Sequence, residues 1–158
     1  MDISEIFIKD CSKNLIQNGG MEVGNPPTGT SPHNSPEILE RSGIDKHSGS
    51  YSLHIVDSVP SSAGSFLYDL VNSKIIGRTY KFSYWYKIVS GSIQMQFLKG
   101  DGSSAIIFAN HFDIGNWNYG ELVGVEGGAG GPYYGLVCNL SGIAPAEFYI
   151  DDISVCEM

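Results

Sequence analysis

Two stretches of the chain alternate between apolar and polar side chains, and this alternation constrains the fold most strongly. In Tyr80–Lys87 the aromatic residues at even positions share one face, whereas Trp85 lies on the other. In Ser92–Phe97 the apolar residues share one face, and Gln94 and Gln96 lie on the opposite side. A period of two is typical of β-strands with one buried and one solvated face.

Similar segments recur along the chain between glycine-rich turns, and we find no convincing amphipathic helix. The predicted strands are Glu5–Ile8, Glu37–Arg41, Tyr51–Val56, Phe66–Leu70, Tyr80–Ile88, Ser92–Leu98, Ala105–Ala109, Tyr119–Val125, Tyr133–Leu140 and Ala146–Cys156. The segment Gly24–Pro36 holds four prolines and predicts a long surface loop. About ten short strands predict an all-β fold, a two-sheet antiparallel β-sandwich of the jelly-roll type.

The length of 158 residues suits one domain with one core. We expect the sandwich to span residues 14–158 and residues 1–13 to form an N-terminal arm or an extra edge strand. The three cysteines are widely spaced and predict no disulfide framework. Free thiols are the favoured interpretation, although Cys11 and Cys156 lie near the two termini, which often pair in sandwiches.

The chain is acidic, with a formal net charge of −8 and only nine lysines and arginines. A phosphate-binding surface needs clustered basic residues, so nucleic acid and anionic membranes are disfavoured as partners. No apolar run approaches the roughly 20 residues that a membrane span needs, so no membrane insertion is expected. The first residues show no basic region followed by an apolar one, so we see no signal peptide.

Four segments resemble the calcium-binding β-sandwich carbohydrate-binding modules that are often appended to xylanases. They are Asn14–Glu22, His47–Leu53, Ile76–Lys87 and Phe148–Val155. They match the family patterns N-L-x-x-N-G-x-F-E, x-S-G-x-Y-S-L, G-x-x-Y-x-F-S-x-W-x-K and F-Y-I-D-D-V-x-L, with Met21 at a position where phenylalanine is usual. Their order along the chain is that of the family. The resemblance implies a jelly roll like that of galactose-binding domains, and non-catalytic glycan binding.

The resemblance also implies a structural calcium ion where the first and last strands meet. Glu22 and Asp151 are the implied side-chain ligands, with Asp45 and the Ser48 carbonyl as further candidates. Calcium prefers hard oxygen ligands of this kind. By alternation Asp151 shares the core-facing side with Ile153, where a carboxylate without a partner is costly. The alternative is that Asp151 accepts hydrogen bonds from backbone N–H groups of a loop and that Glu22 is solvated.

Sugars are bound by aromatic rings that stack on their C–H faces and by flanking polar groups. The candidate ligand-binding residues are Trp85, Gln94, Gln96, Trp117, Tyr133 and Tyr134. Tyr133 and Tyr134 are adjacent, so at least one of them is expected to face solvent. The alternatives are that both tryptophans are structural and that the two glutamines form the polar face of an edge strand.

The sequence shows no motif of a hydrolase. A glycosidase needs two carboxylates about 5 to 10 Å apart across a cleft. Asp151 and Asp152 are adjacent in a predicted strand, so we expect them to point to opposite faces. No Gly-x-Ser-x-Gly segment is present to carry a nucleophilic serine. We therefore predict that the chain is not an enzyme.

The favoured hypothesis is a non-catalytic, calcium-stabilised module that binds a polysaccharide or cell-surface glycan. Such a protein is expected outside the cell or on a virion. The alternative is a phage virion or appendage protein, a tail or capsid decoration or adhesin, that uses the same sandwich for attachment. Its N-terminal arm would then contact a virion partner or a second copy. A small hydrolase on a jelly roll is the third possibility.

Overall fold

The computed structural model describes residues 13–128, 130–140 and 145–158. Ten β-strands lie in these ranges, and no helix does. They are β1 (Thr30–His33), β2 (Ile38–Ser42), β3 (Ser52–Asp57), β4 (Gly64–Tyr68), β5 (Thr79–Ser90), β6 (Ile93–Leu98), β7 (Ala105–His111), β8 (Asn118–Val125), β9 (Tyr133–Asn139) and β10 (Ala146–Glu157). Within the described ranges, nothing resembles a helix long and apolar enough to cross a bilayer.

The strands form two five-stranded sheets in which every named pairing is antiparallel. The front sheet has the order β1-β4-β9-β6-β7, and the back sheet has the order β2-β3-β10-β5-β8. Strands that are neighbours in a sheet are often distant in sequence, as in a jelly roll. The predicted all-β sandwich is confirmed.

The core lies between the sheets and is formed by the side chains that the alternation assigned to the inside. Phe82 on β5 and Phe97 on β6 are fully buried, and their rings stack across the interior at 5.6 Å. Phe148 and Val155 on β10 are also fully buried. Each such side chain contributes about 1.5 to 3 kcal/mol by burial. The alternation of β5 and β6 therefore decides which residues remain outside for binding.

The nine predicted strands from Glu37 onward each overlap an observed strand, and Glu5–Ile8 lies outside the described residues. The expectation of a continuous loop over Gly24–Pro36 is wrong, because β1 lies inside it. Pro32 is tolerated because β1 is the edge strand of the front sheet and pairs only with β4.

The cysteines also differ in part from expectation. Cys138 is a buried free thiol, and burial raises its pKa to about 11, which keeps the thiol protonated and unreactive at neutral pH. Cys156 is disulfide-bonded. The favoured interpretation of free thiols is therefore right for Cys138 and wrong for Cys156, and Cys11 lies outside the described residues.

Candidate functional site

The outer surface of the front sheet is built from three rows of side chains that face one another across neighbouring strands. The first row crosses all five strands and consists of Ser31, Phe66, Leu136, Gln96 and Phe108. The second row consists of His33, Gly64, Cys138, Gln94 and Asn110. The third row consists of Tyr68 and Tyr133. Directly opposed residues share a face, so these side chains form one surface about 19 Å wide, which we call the glutamine face.

The centre of the glutamine face is a chain of three side-chain amides. Gln96 Nε2 donates to Gln94 Oε1 at 2.7 Å, and Gln94 Nε2 donates to Asn110 Oδ1 at 3.0 Å. These bonds fix the orientation of all three amides. Gln96 Oε1 and Asn110 Nδ2 make no hydrogen bond within the described residues, so one end of the chain offers an acceptor and the other a donor.

Aromatic rings flank the amides on both sides. On the β4 and β9 side, the rings of Phe66 and Tyr133 are 5.7 Å apart, and those of Tyr68 and Tyr133 are 6.0 Å apart. On the β7 side, Phe108 is 56% exposed. The face therefore combines ring surfaces with hydrogen-bonding amides, which is the combination that a sugar requires.

Tyr133 is held in place by a buried ion pair behind it. The side chains of Lys74 and Glu126 are fully buried and 3.0 Å apart. Glu126 also accepts a bond from the backbone N–H of Gly100 at 2.8 Å, and the Gly100 carbonyl accepts one from the N–H of Tyr133 at 3.2 Å. Gly102 packs on the Tyr133 ring, since a Cβ there would lie 3.2 Å from the ring carbons. The ring thus has a fixed position on the glutamine face.

The glutamine face is electrically neutral. None of the side chains in its three rows is an Asp, Glu, Lys or Arg. Its single histidine, His33, packs edge-on against Phe66 at 5.1 Å, and burial lowers the pKa of His33 below its usual value. The surface is therefore uncharged at neutral pH.

The structure brings three of the six predicted ligand-binding residues together, namely Gln94, Gln96 and Tyr133. The candidate role of Tyr134 is wrong, because its side chain is fully buried and its hydroxyl donates to the Asn72 carbonyl at 2.7 Å. The alternative that the glutamines lie on an edge strand is also wrong, because β6 is flanked by β9 and β7.

The two tryptophans lie on the outer surface of the back sheet, in a cluster that we call the tryptophan face (His47, Trp85, Trp117 and Tyr119). The His47 ring stacks on Trp85 at 3.7 Å with an interplanar angle of 12°. Tyr119 lies opposite Trp85 in the register, with ring centroids 5.5 Å apart. Two neighbouring rings of the protein therefore contact the Trp85 side chain.

The polar ends of Trp117 and Tyr119 are also engaged. Trp117 Nε1 donates to Asp45 Oδ1 at 3.0 Å, and Lys87 forms an ion pair with Asp45. Tyr119 donates its hydroxyl proton to Glu121 at 2.9 Å. These contacts favour the structural interpretation of both tryptophans.

Beside the tryptophan face, two of the predicted metal ligands converge on one loop. Asp151 Oδ2 accepts bonds from the backbone N–H groups of residues 47 and 48, at 2.9 and 3.2 Å. Glu22 Oε1 accepts bonds from those of residues 50 and 51, at 2.9 and 3.2 Å. Gly49 lies between them with φ of +62°, and a Cβ there would lie 2.2 Å from Glu22 Oε1. The alternative for Asp151, backbone N–H groups as its partners, is observed, and Glu22 is bonded in the same way.

Asp45 does not join these carboxylates, because its oxygens are bonded to Trp117 and Lys87. Across the described residues, no group of three or more His, Cys, Asp or Glu side chains is placed to hold a metal ion. Asp151 is fully buried, and burial raises its pKa to about 6. Any calcium ion here would depend on Glu22, Asp151 and backbone carbonyls such as that of Ser48.

Two predictions about the acidic residues of β10 are wrong because this strand contains a bulge. The register shifts between Asp151 and Ser154, and Asp152 has φ of +46°. Asp151 consequently lies opposite Trp85, on the outer side of the sheet and not on the core side. Asp152 reaches the same loop, with an oxygen 2.6 Å from Ser48 Oγ. The two carboxylates thus approach one loop and do not point to opposite faces, because the bulge interrupts the alternation.

No protein-family model matches the chain, and no curated protein matches it. Solved structures do. TmCBM61, in complex with β-1,4-galactotriose, aligns with a TM-score of 0.67 and 15% identity over 93% of this chain and 100% of that one. The C-terminal family 22 carbohydrate-binding module of Clostridium thermocellum Xyn10B aligns with a TM-score of 0.60 and 16% identity over 88% and 95% of the two chains. The fold is that of a β-sandwich carbohydrate-binding module.

The same module fold also occurs inside larger proteins. The enzymatically active domain of bacteriophage CBA120 tailspike protein 4 aligns with a TM-score of 0.64 and 18% identity, over 92% of this chain and 21% of that one. This chain therefore spans about a fifth of the tailspike chain. At such identities the likeness concerns the fold alone, and function must be argued from the site.

Several residues of the candidate site were not predicted from sequence, namely His33, Phe66, Tyr68, Phe108 and Asn110. Phe66, Tyr68 and Phe108 do lie in predicted strands. The signal that was lacking is the order of strands in the front sheet, which places β4 and β7 on either side of β9 and β6. Alternation assigns a side chain to a face, but it does not say which strands share a sheet.

Proposed function

We propose that this chain is a non-catalytic glycan-binding module and that the glutamine face is its binding surface. The observation that carries the proposal is the chain of amides from Gln96 to Asn110, which has an open acceptor at one end and an open donor at the other. It lies between the exposed ring of Phe108 and the half-buried rings of Phe66 and Tyr133. Sugar hydroxyls are donors and acceptors, and the C–H faces of the ring stack on aromatic side chains.

The similar structures indicate which ligands to test first. TmCBM61 was solved with β-1,4-galactotriose, and another family 22 module is a xylan-binding domain. β-1,4-Galactan and xylan are both neutral in their backbones, as the glutamine face is. We therefore take these two polysaccharides as the first ligands.

Binding without cleavage is the function that this surface supports. Glycosidic hydrolysis needs two carboxylates about 5 to 10 Å apart at the bond that breaks. The three rows of the glutamine face contain no carboxylate. Incubation with either polysaccharide should therefore release no new reducing ends, and release that a single carboxylate substitution abolished would contradict this part of the proposal.

The test is the affinity of Gln94→Ala and Gln96→Ala variants for galactan and xylan, measured by isothermal titration calorimetry. Gln96→Ala loses the open acceptor, and Gln94→Ala removes the link that orients Gln96 and Asn110. We therefore expect a fall in affinity of about tenfold for Gln96→Ala and more for the double variant. Glu121→Ala, on the back sheet, is the control and should bind as wild type does. If the double variant binds both polysaccharides and a wider glycan panel as wild type does, the glutamine face is not the site.

We also propose that a calcium ion binds between Glu22 and Asp151 and stabilises the module. The donor set suits calcium, since both groups are carboxylates that converge on one loop. Asp151 is fully buried, and a cation would offset the cost of its charge. The ion would supply charge neutralisation and would tie β10 to the loop.

The calcium proposal is tested by the thermal unfolding midpoint in calcium and in EDTA. Binding to the folded state alone raises the midpoint, so we expect a higher value in calcium for wild type. Asp151→Asn should lose that difference, whereas Asp45→Asn should retain it. A midpoint that is equal in calcium and EDTA for wild type would exclude a stabilising ion.

A second candidate role is attachment as part of a phage appendage. The observation that favours it is the similarity to a tailspike domain, which contains the same sandwich as about a fifth of its chain. The module would then bind a bacterial surface glycan through the glutamine face. Labelled protein should bind host cells, and Gln94→Ala with Gln96→Ala should abolish this. Binding that persists in the double variant would assign attachment to another surface.

A further inference from the structure

A cleft of about 430 Å³ lies at the end of β4, beside the glutamine face. Its lining residues are Gln17, Asn18, Val23, Thr28, Gly29, Tyr68, Asp69, Leu70 and Val71. Three of them are large apolar residues with most of their surface exposed, namely Val23 (61%), Leu70 (80%) and Val71 (70%). Single exposed apolar side chains are ordinary, but three around one concave surface indicate a site for an apolar group.

Two polar side chains of the cleft wall, Asn18 and Asp69, are engaged in building it. Asn18 bonds the backbone of Val23 through both its oxygen and its nitrogen, at 3.1 and 2.9 Å. Asp69 accepts bonds from the backbone N–H groups of Gln17 and Val71, each at 2.8 Å. The single ionisable carboxylate of the lining is thus used to hold the wall. The cleft consequently has no open charge with which to attract an ionic ligand.

The cleft and the glutamine face share one residue, Tyr68. Its ring lies 6.0 Å from that of Tyr133 on the glutamine face, and the same residue lines the cleft. The Tyr68 hydroxyl makes no hydrogen bond within the described residues. The cleft and the glutamine face are therefore adjacent at Tyr68, where one ligand can contact both.

We propose that this cleft is a subsite for an acylated sugar residue of the glycan that lies on the glutamine face. An O-acyl group is uncharged and presents a methyl or longer apolar end, which suits Val23, Leu70 and Val71. The volume has room for the group together with part of the sugar ring that carries it. The inference rests on the proposed glycan-binding function and adds a ligand class, a neutral polysaccharide with ester substituents.

The experiment compares acetylated xylan and acetylated β-1,4-galactan with the same polymers after saponification. Burial of one methyl group is worth roughly a fourfold gain in affinity, so the acetylated forms should bind about four times more tightly or better. Leu70→Ser and Val71→Ser should abolish this preference and leave the affinity for the saponified forms unchanged. Val59→Ser is the control, because Val59 is 67% exposed and precedes β4, whereas the cleft follows the end of β4.

The outcomes separate this inference from the proposed function. Equal affinity for acetylated and saponified polymers would overturn the subsite and leave glycan binding intact. If Leu70→Ser and Val71→Ser weakened both forms equally, the cleft would bind the sugar backbone and the assignment to acyl groups would be wrong. If neither form bound, and a panel of other neutral glycans also failed to bind, both proposals would fall.

Discussion

The glutamine face and the tryptophan face both place aromatic rings beside hydrogen-bonding side chains, but they differ in how the polar atoms are used. On the tryptophan face, Trp117 and Lys87 both bond Asp45, and His47 covers one side of Trp85. On the glutamine face the amide chain ends in an open acceptor on Gln96 and an open donor on Asn110. The polar atoms of Trp117 and Tyr119 are thus bonded within the protein, whereas the amide chain leaves two polar groups open to a ligand.

Exposure alone does not distinguish the two surfaces. Phe108 on the front sheet is 56% exposed, and Tyr119 on the back sheet is 50% exposed. The Tyr119 hydroxyl, however, is bonded to Glu121, and its ring lies against Trp85. The bonding of the hydroxyl group and the ring contact therefore distinguish Tyr119 from Phe108 where exposed area does not.

The largest effect that we expect is the loss of stability in Trp85→Ala. This substitution removes the stack with His47 and the contact with Tyr119, so the free energy of unfolding should fall by about 3 to 4 kcal/mol. Chemical denaturation measures the loss. Glycan affinity, measured well below the unfolding midpoint, should stay at the wild-type value.

A second substitution at Trp85 serves as the control for this prediction. Trp85→Phe retains a ring for His47 and should lose much less stability than Trp85→Ala. If Trp85→Ala kept its stability and lost glycan binding, the comparison between the faces would be reversed and Trp85 would belong to the binding site.

The next effect is a pH dependence that originates beneath the tryptophan face. Burial raises the pKa of Asp151 from 3.8 to about 6 in the folded state. The folded protein then binds more protons than the unfolded chain between these values, so its stability falls as the pH rises from about 4 to 6. The contribution of this carboxyl group is about 2 to 3 kcal/mol.

Asp151→Asn isolates that contribution, since the amide does not titrate. Between pH 4 and 6 we expect the free energy of unfolding of Asp151→Asn to rise by about 2 to 3 kcal/mol relative to that of wild type. Urea unfolding in EDTA measures this difference. Calcium should reduce the loss in wild type if the proposed ion binds. A difference that stayed constant from pH 4 to 6 would show that Asp151 titrates normally.

Most of the fold follows from the sequence because period-two alternation is a local signal. It assigned Gln94 and Gln96 to the outside and Phe97 to the core, and the structure agrees. It failed where a local exception breaks the period. The bulge at Asp152 places Asp151 on the outer side of β10. The prolines around β1, including Pro32 within it, make that segment look like a loop.

The candidate site was only partly predictable because it depends on which strands become neighbours. Trp85 and Gln94 are both on outward faces, yet they lie on different sheets of the sandwich. Phe66 joins Gln96 because β9 lies between their strands, and β9 comes much later in the chain. Such pairings are set by long-range packing of the core, so local patterns do not report them.

The smallest expected effect is on glycan affinity, and it compares the two faces most directly. Phe108→Ala removes an exposed ring beside Gln96, so glycan affinity should fall about fivefold, which corresponds to about 1 kcal/mol of stacking. Tyr119→Ala removes a ring of similar exposure from the tryptophan face and should leave affinity unchanged. Calorimetry with the same glycan measures both variants. Equal losses would mean that the ligand contacts both sheets, and a loss in Tyr119→Ala alone would place the binding site on the tryptophan face despite its engaged polar atoms.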